Sequence, residues 1–346
     1  SVPIPHKRPM HIHNCEQADH APASVRWAAN VSENGWNPSD EEYENLLAGL
    51  PADEVQRIRK LMRKEDAKRS VLGRLMLKSA AAKALNMEAD DVKFGRTKGR
   101  KPFIQEAAAA RRGLNANVSH HGEWVVLGLE EKGLVGVDVS STKAPRKNMQ
   151  AQSFFADMAG VLTGKEWAAV HGAGRTDEEQ YHAFYTFWAL KEAYTKATGI
   201  GMALPFPRLE LSVPRELLCL GQQQNQPIGQ RVAGDGKISA RLDGRAQPEW
   251  DFELYRLDGA HIMAVAVGPH AQAVPSYQDA MSKLLAPPKT APLPPTPNRI
   301  THALKLPARP ALPIIDARSG SPDAFCGLVG QPEGRGLRFL APHQLC

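Results

Sequence analysis

Three short segments place charged and polar side chains where the edge of a core would ordinarily be apolar. The first is Gly136-Val137-Asp138-Val139-Ser140. In an extended strand side chains alternate, so Asp138 shares one face with Gly136 and Ser140 while Val137 and Val139 take the other. A carboxylate so placed must be paired, solvated or bound to a metal. The second segment runs from Phe187 to Gly199; on a helix its Trp188, Glu192 and Lys196 recur at i, i+4 and i+8 and share one face, and Gly199 is a natural stop. A Glu–Lys pair at this spacing is ordinarily a surface pair, but this one shares its face with a tryptophan between aromatic-rich turns. The third segment, Asn117-Val118-Ser119-His120-His121-Gly122, reads as a loop between a helical region and a strand, with several hydrogen-bonding groups suited to phosphate oxygens. Two adjacent histidines also suggest zinc, yet no third ligand lies at a recognisable spacing.

The elements that must position these groups fall into two blocks. Ser39 followed by Glu42 resembles a capping box that opens a helix over Asp40 to Leu50, and a long helical zone spans Ala52 to Leu85. Val92 to Arg96, Trp124 to Glu130 and Leu134 to Ser140 read as strands, the last two joined by a turn at Lys132-Gly133. The order then repeats. Met149 to His171 is helical, a strong helix runs from Asp177 to Thr198, and strands follow near Arg208 to Val213, Ile238 to Leu242, Trp250 to Arg256 and His261 to Val267. Helices followed by antiparallel strands, twice over, predict an α+β fold of two similar halves rather than alternating βαβ units.

The length of 346 residues suits about two domains, and 42% hydrophobic with 23% charged residues is globular. No apolar run approaches the roughly 18 to 20 residues of a bilayer span, so no membrane partner is expected. Of the net charge of +6, the segment Ala286 to Cys346 carries 7 basic and 3 acidic residues, which leaves the rest nearly neutral. A globally basic nucleic-acid-binding chain is therefore not indicated. The same segment holds 12 of the 27 prolines and reads as a disordered tail, 286–346; residues 1–22 are likewise unpatterned. Between them the expected halves are 23–137 and 138–275. Four scattered cysteines without CxxC spacing imply a reducing compartment, and a cytosolic monomer is expected.

Taken in order, the NVSH segment from Asn117, the GVD of Gly136 to Asp138 and the WxxKExxxKxxG-like Trp188 to Gly199 resemble one family, the Sfp-type 4'-phosphopantetheinyl transferases. Within that family they resemble the eukaryotic branch that activates aminoadipate-semialdehyde dehydrogenase in lysine biosynthesis. The spacings agree, roughly 18 residues from His120 to Asp138 and roughly 54 from Asp138 to Glu192. The resemblance extends from about Val25 to Val213, through Val25-Arg26-Trp27, Arg57, Asp66 to Leu77 and Arg96 to Pro102.

The resemblance implies two pseudo-symmetric halves with coenzyme A and Mg²⁺ between them. It also implies an activity, holo-acyl-carrier-protein synthesis: the 4'-phosphopantetheine arm of coenzyme A moves to a serine of an acyl or peptidyl carrier domain and adenosine 3',5'-bisphosphate leaves. Asp138 and Glu192 match the metal carboxylates. Arg57, Arg96, Lys98, Arg100, Lys101, Asn117, Ser119 and His120 match positions that hold coenzyme A, and Lys196 matches a lysine at its pyrophosphate. Asp138, Glu192 and Lys196 are the expected catalytic set, with Glu192 the candidate acceptor of the serine proton. Three departures stand out. Ser140 occupies the place of a second acid in many bacterial members, His121 stands where the eukaryotic branch can carry a glutamine, and Arg100-Lys101-Pro102 replaces Gly-Lys-Pro. The competing readings are a non-catalytic coenzyme A or nucleotide-binding module, which would lack the metal acids, and a basic nucleic-acid-binding protein built around Arg57 to Arg74, a run that better fits the solvated face of an amphipathic helix.

Overall fold

The computed structural model describes residues 23–32, 35–98, 101–219, 229, 231–232, 236–286 and 338–339. The first half comprises β1 (Ser24–Asn30), α1 (Asp40–Ala48), α2 (Ala52–Arg59), α3 (Lys64–Leu85), β2 (Phe94–Arg96), β3 (Pro102–Ile104), α4 (Ala107–Arg112), β4 (Asn115–His121) and β5 (Trp124–Glu130). The second comprises β6 (Leu134–Ser141), α5 (Ala151–Asp157), α6 (Gly164–Gly172), α7 (Asp177–Thr198), β7 (Leu209–Ser212), α8 (Arg215–Leu218), β8 (Ser239–Leu242), β9 (Arg245–Ala246), β10 (Asp251–Arg256), β11 (His261–Gly268) and α9 (Pro275–Leu285), after which β12 (Arg338–Phe339) returns to the first sheet. The α+β expectation holds. Apart from Ala286 and β12, the proposed tail lies outside the described residues, as do 1–22. β12 pairs in parallel with Trp27 and Ala28 of β1.

Local chemistry accounts for the helix starts. Ser39 and Glu42 form the expected capping box, and Thr163 with Glu166 and Thr176 with Glu179 form two more at α6 and α7. α7 carries Asp177, Glu178 and Glu179 in its first turn and ends where Gly199 turns left-handed at φ 80°. The long helical zone is broken: Lys60 caps α2 and Arg63, in an extended conformation, precedes α3. Neither Gly nor Pro marks that break. Met149 to His171 also divides, because the Thr163 capping box starts a new helix. The segment 117–122 is not a loop: its residues through His121 form the end of β4, paired in register with β5 from Asn115↔Glu130 to His121↔Trp124.

Buried side chains separate into three clusters that define the layers. Leu72, Met76 and Leu77 of α3 pack with Val125, Leu127 and Leu129 on one face of the β12-β1-β5-β4 sheet. Phe184, Phe187 and Leu190 of α7 pack with Ile262, Ala264 and Ala266 on one face of the β10-β11-β6 sheet. The remaining faces, with Val126, Val135, Val137, Met263 and Val265, close on each other. Period-2 alternation thus sends Val135, Val137 and Val139 into the shared middle and leaves Gly136, Asp138 and Ser140 on the side of α7.

Asparagine side chains join the two edge strands β4 and β6. Asn115 Oδ1 accepts from Val135 N at 2.8 Å and Asn117 Oδ1 accepts from Val137 N at 2.9 Å, so side-chain amides supply two edge N–H groups with partners. Under this seam Lys101 is buried. Its Nζ donates to the Lys196 carbonyl at 3.0 Å and to Asn115 Oδ1 at 3.4 Å and lies 5.5 Å from the Tyr277 ring centre. On the other side of β6, a Cβ at Gly136 would lie 1.9 Å from Ala193 O and 2.3 Å from Ala197 N, so the backbone of α7 rests directly on that residue.

Gly136→Ala is therefore expected to reach or exceed the upper end of the ~1–3 kcal/mol cost of overpacking in a denaturant melt. Gly172→Ala, where nothing lies within 4 Å of the added Cβ, should be neutral or stabilising; equal losses at both positions would refute the close approach. A second measurement concerns Lys101, whose pKa burial pushes down from 10.5 to about 7. The unfolded chain then holds more protons than the folded one between those values, so stability should rise with pH through that window and be flat below it. Lys101→Met should lose this rise, and parallel stability curves for the two proteins would show that the ammonium is not desolvated.

Candidate functional site

The three sequence segments meet at Asp138. Because Gly136 admits the α7 backbone, residues one turn apart on α7 flank the strand position two residues on. Lys196 Nζ lies 2.6 Å from Asp138 Oδ1 and 2.8 Å from Ser119 Oγ, and Ser119 Oγ donates to the same carboxylate oxygen at 3.2 Å. Ser140 Oγ donates to Asp138 Oδ2 at 2.7 Å. Asp138 is 6% exposed, so this pairing is what makes its burial tolerable. Trp188, on the same helix, meets Phe206 edge-on at 5.3 Å between ring centres.

Glu192 sits one turn from Lys196 and is half-buried. Among the described residues its carboxylate has no hydrogen bond and no ion pair. Burial raises its pKa, the Asp138 charge adds to the rise, and Lys196 opposes it. Two carboxylates close enough to repel, one of them uncommitted, form a donor set that a hard divalent cation would relieve. No cluster of three or more His, Cys, Asp or Glu among the described residues could hold a metal unaided. That suits Mg²⁺, which commonly takes one or two carboxylates and completes its shell with water and substrate phosphates.

On the opposite face of β4 a pocket of roughly 420 Å³ opens between α2, α3 and β2. Arg57, Arg69, Arg74, Arg96 and His120 line it, together with the carboxylate of Glu54. Arg74 Nε pairs with Glu54 at 3.0 Å, and Arg57 pairs with Asp53 at 2.7 Å. Desolvation lowers the His120 pKa, and the charges of Arg69 and Lys196 lower it further. Arg69 and Arg74 were not singled out by sequence. Their signal is the helical face they share with Ser70 and Gly73, the latter so close to Val118 that a Cβ would stand 3.3 Å from its methyl group.

The other expected residues lie elsewhere. Lys98 is exposed, Arg100 lies outside the described residues, and Asn117 and Lys101 are committed to the seam. A larger groove, about 620 Å³, lies among α5, α6 and α7 beside Phe155, Trp167 and His171, and none of the expected site residues borders it. No helix among the described residues is long and apolar enough to cross a membrane.

Comparison with known proteins matches residues 17–132 to the N-terminal region of 4'-phosphopantetheinyl transferases and residues 134–265 to the 4'-phosphopantetheinyl transferase superfamily. The chain is 34% identical over 261 residues to the L-aminoadipate-semialdehyde dehydrogenase-phosphopantetheinyl transferase of Mus musculus, covering 74% of this chain and 79% of that one. It is 32% identical over 254 residues to a phosphopantetheinyl transferase of Thraustochytrium sp., covering 72% and 81%. With the 4'-phosphopantetheinyl transferase Sfp of Bacillus subtilis the identity is 24% over 245 residues, covering 70% and 94%. The junction between the two matched regions falls just before β6, the strand that carries Asp138 to Lys196 and Ser119, and the chain belongs to the 4'-phosphopantetheinyl transferase family.

Proposed function

We propose that the protein transfers the 4'-phosphopantetheine group of coenzyme A to a serine of an acyl or peptidyl carrier domain and releases adenosine 3',5'-bisphosphate. The observation that carries this reading is the contact of Lys196 with both Ser119 and Asp138, which brings all three segments to one point. A pyrophosphate needs that arrangement: a mobile cation, a hydroxyl donor and carboxylates able to hold a divalent ion, within reach of one another.

Asp138 and Glu192 would hold Mg²⁺, which when bound neutralises negative charge on the pyrophosphate as the serine attacks. Lys196 and the Ser119 hydroxyl would bind pyrophosphate oxygens, and His120 stands between that point and the arginine pocket. Arg57, Arg69, Arg74 and Arg96 suit the remaining phosphate of coenzyme A, since guanidinium groups hold phosphate oxygens in charge-assisted pairs. Lys101 supports this set from beneath through the Lys196 carbonyl. A carboxylate that holds a cation is a poorer base, so Glu192 is placed here as a ligand first.

Incubation of purified apo carrier domains with coenzyme A and Mg²⁺ should add one phosphopantetheine arm by mass, and excess EDTA should stop the reaction; undiminished transfer in EDTA would remove the cation from the reading. Arg57→Ala and Arg74→Ala should raise KM for coenzyme A by ~10- to 100-fold with little change in kcat, the loss of a charge-assisted phosphate contact. Wild-type KM in both would put the phosphate elsewhere. Glu192→Gln should need far more Mg²⁺ and recover much of its kcat when saturated. A near wild-type rate at ordinary Mg²⁺ would contradict a ligand role.

A further inference from the structure

The strand edges of the two main sheets are each met by other chain. β4 and β6 meet one another at the asparagine seam. The outer edge of β10 is met by Gly229, whose N–H donates to Arg256 O at 2.9 Å, and by Val232, whose N–H donates to Leu254 O at 2.7 Å, with Arg231 bridged to Tyr255 between them. An uncovered edge is a template for pairing with another chain, which gives such cover a purpose. The remaining edge is that of β1, and what meets it comes from the far end of the sequence: Trp27 stands opposite Arg338 and Ala28 opposite Phe339, in parallel.

The main chain of β1 needs an occupant on that side. Glu131 N donates to Ala23 O and Val31 N to Glu123 O, so the odd-numbered residues of β1 bond to β5 and the even-numbered ones turn their N–H and C=O groups outward. Asn30 O accordingly accepts from Trp36 N at 2.7 Å, outside the sheet. The outward groups of Arg26 and Ala28 flank the position of Arg338, and these two residues are only 3% and 0% exposed. Main-chain polar groups held out of water require partners, and β12 lies in register to supply them. The sequence suits that task, since Leu337-Arg338-Phe339-Leu340-Ala341 is a mostly apolar run bounded by Gly336 and Pro342, and it lies beyond residues 134–265 that match the transferase superfamily.

We propose that the outer edge of β1 is a strand-acceptor site, and that its occupant is this chain's own C-terminal segment about Arg338–Phe339, added in parallel as a clasp on the first sheet. Main-chain bonds supply the affinity, as in strand addition generally. Residues 287–337 join Ala286, the C-cap of α9, to β12, and that much chain covers roughly 150 Å when extended, so the edge is within reach. A tether of this length holds its end at an effective concentration on the order of 1 mM, roughly a thousandfold above a micromolar second copy. A pairing this short is too weak to join separate chains at such dilution, but it is retained within one. The clasp sits at the edge opposite β4, so it closes the sheet without entering the site at Ser119.

Amide hydrogen exchange of the full chain, read residue by residue, tests the clasp. Arg338→Pro removes a strand N–H, and the Ala28 amide should then exchange ~10- to 100-fold faster, while the amides of Trp27 and Ala29, bonded to β5, change by less than about threefold. A second measurement leaves the strand sequence intact: cleavage at a protease site built into 287–337, followed by dilution to micromolar protein, should speed Ala28 exchange in the same way, and a peptide of residues 335–341 added at millimolar concentration should restore the protection. Wild-type protection of Ala28 should not depend on protein concentration. Equal Ala28 protection in the wild type and Arg338→Pro, or protection that survives cleavage and dilution, would overturn the proposal. So would equal acceleration of Trp27 and Ala29 in the cleaved chain, which would mean that β1 itself had loosened. Wild-type protection that rises with concentration alongside a dimer mass would make a second copy the occupant and overturn the assignment to the same chain.

Discussion

The contact between Gly136 and the backbone of α7 is the constraint on which the site depends. A strand and a helix normally stand apart by the thickness of their side chains. Here the strand presents only a hydrogen, and Ala193 and Ala197 of the helix present small residues on either side of the contact. The closer approach is what lets Lys196 reach both Asp138 and Ser119. It also gives the helix no freedom to roll, because the contact is between main chains, which cannot change rotamer. Glu192 and Lys196 are thereby fixed against Asp138 by backbone rather than by a network of polar side chains.

A site at a junction requires that the junction itself be rigid. Two devices secure it, and both place polar groups where apolar ones would be simpler. Asn115 and Asn117 carry the hydrogen-bond ladder across the seam from β4 to β6. Arg26, 3% exposed, spans three strands, pairing with Glu130 of β5 and Glu253 of β10, while Tyr255 donates to the same Glu253 oxygen. A buried ion cluster of this kind contributes little net stability over a well-packed apolar one, but it joins the two sheets through directional hydrogen bonds. The same holds for Lys191, buried in contact with Glu166 and the carbonyls of Phe206 and Leu209, which ties α7 to the turn before β7.

How much of this was legible in the sequence follows from which groups each residue meets. The α7 helix was readable to the residue because its capping box, acidic first turn and terminal glycine all act locally. β5 and β6 were readable because their apolar residues alternate or run together as buried strands do. β4 was not: its polar residues Asn115, Asn117 and Ser119 face inward, toward a seam that only the tertiary structure supplies, so an alternating pattern looked like a polar loop. β1 was hidden in the same way, since Arg26 reads as solvent-facing until Glu130 and Glu253 are brought to it. The carboxylates and Lys196 were legible as residue types in order, whereas Arg69 and Arg74 could be placed on the pocket only once the break between α2 and α3 had turned the two helices to face each other.

The arrangement of charge also explains how the site can be kept in its working geometry. The buried Asp138 pairs with Lys196 and accepts from two hydroxyl donors. Those same donors are the groups suited to phosphate oxygens. Under the proposed function, a pyrophosphate with its cation would replace one partner of Asp138 with another, release Lys196 to turn to the new anion and give the uncommitted Glu192 carboxylate a partner. Lys196 can make that exchange because its ammonium remains partly exposed at the end of a flexible stem, while its backbone carbonyl is held by Lys101. The fixed part of the residue and the movable part answer to different partners, and the separation lets a site built on rigid main-chain contacts still accommodate a charged substrate.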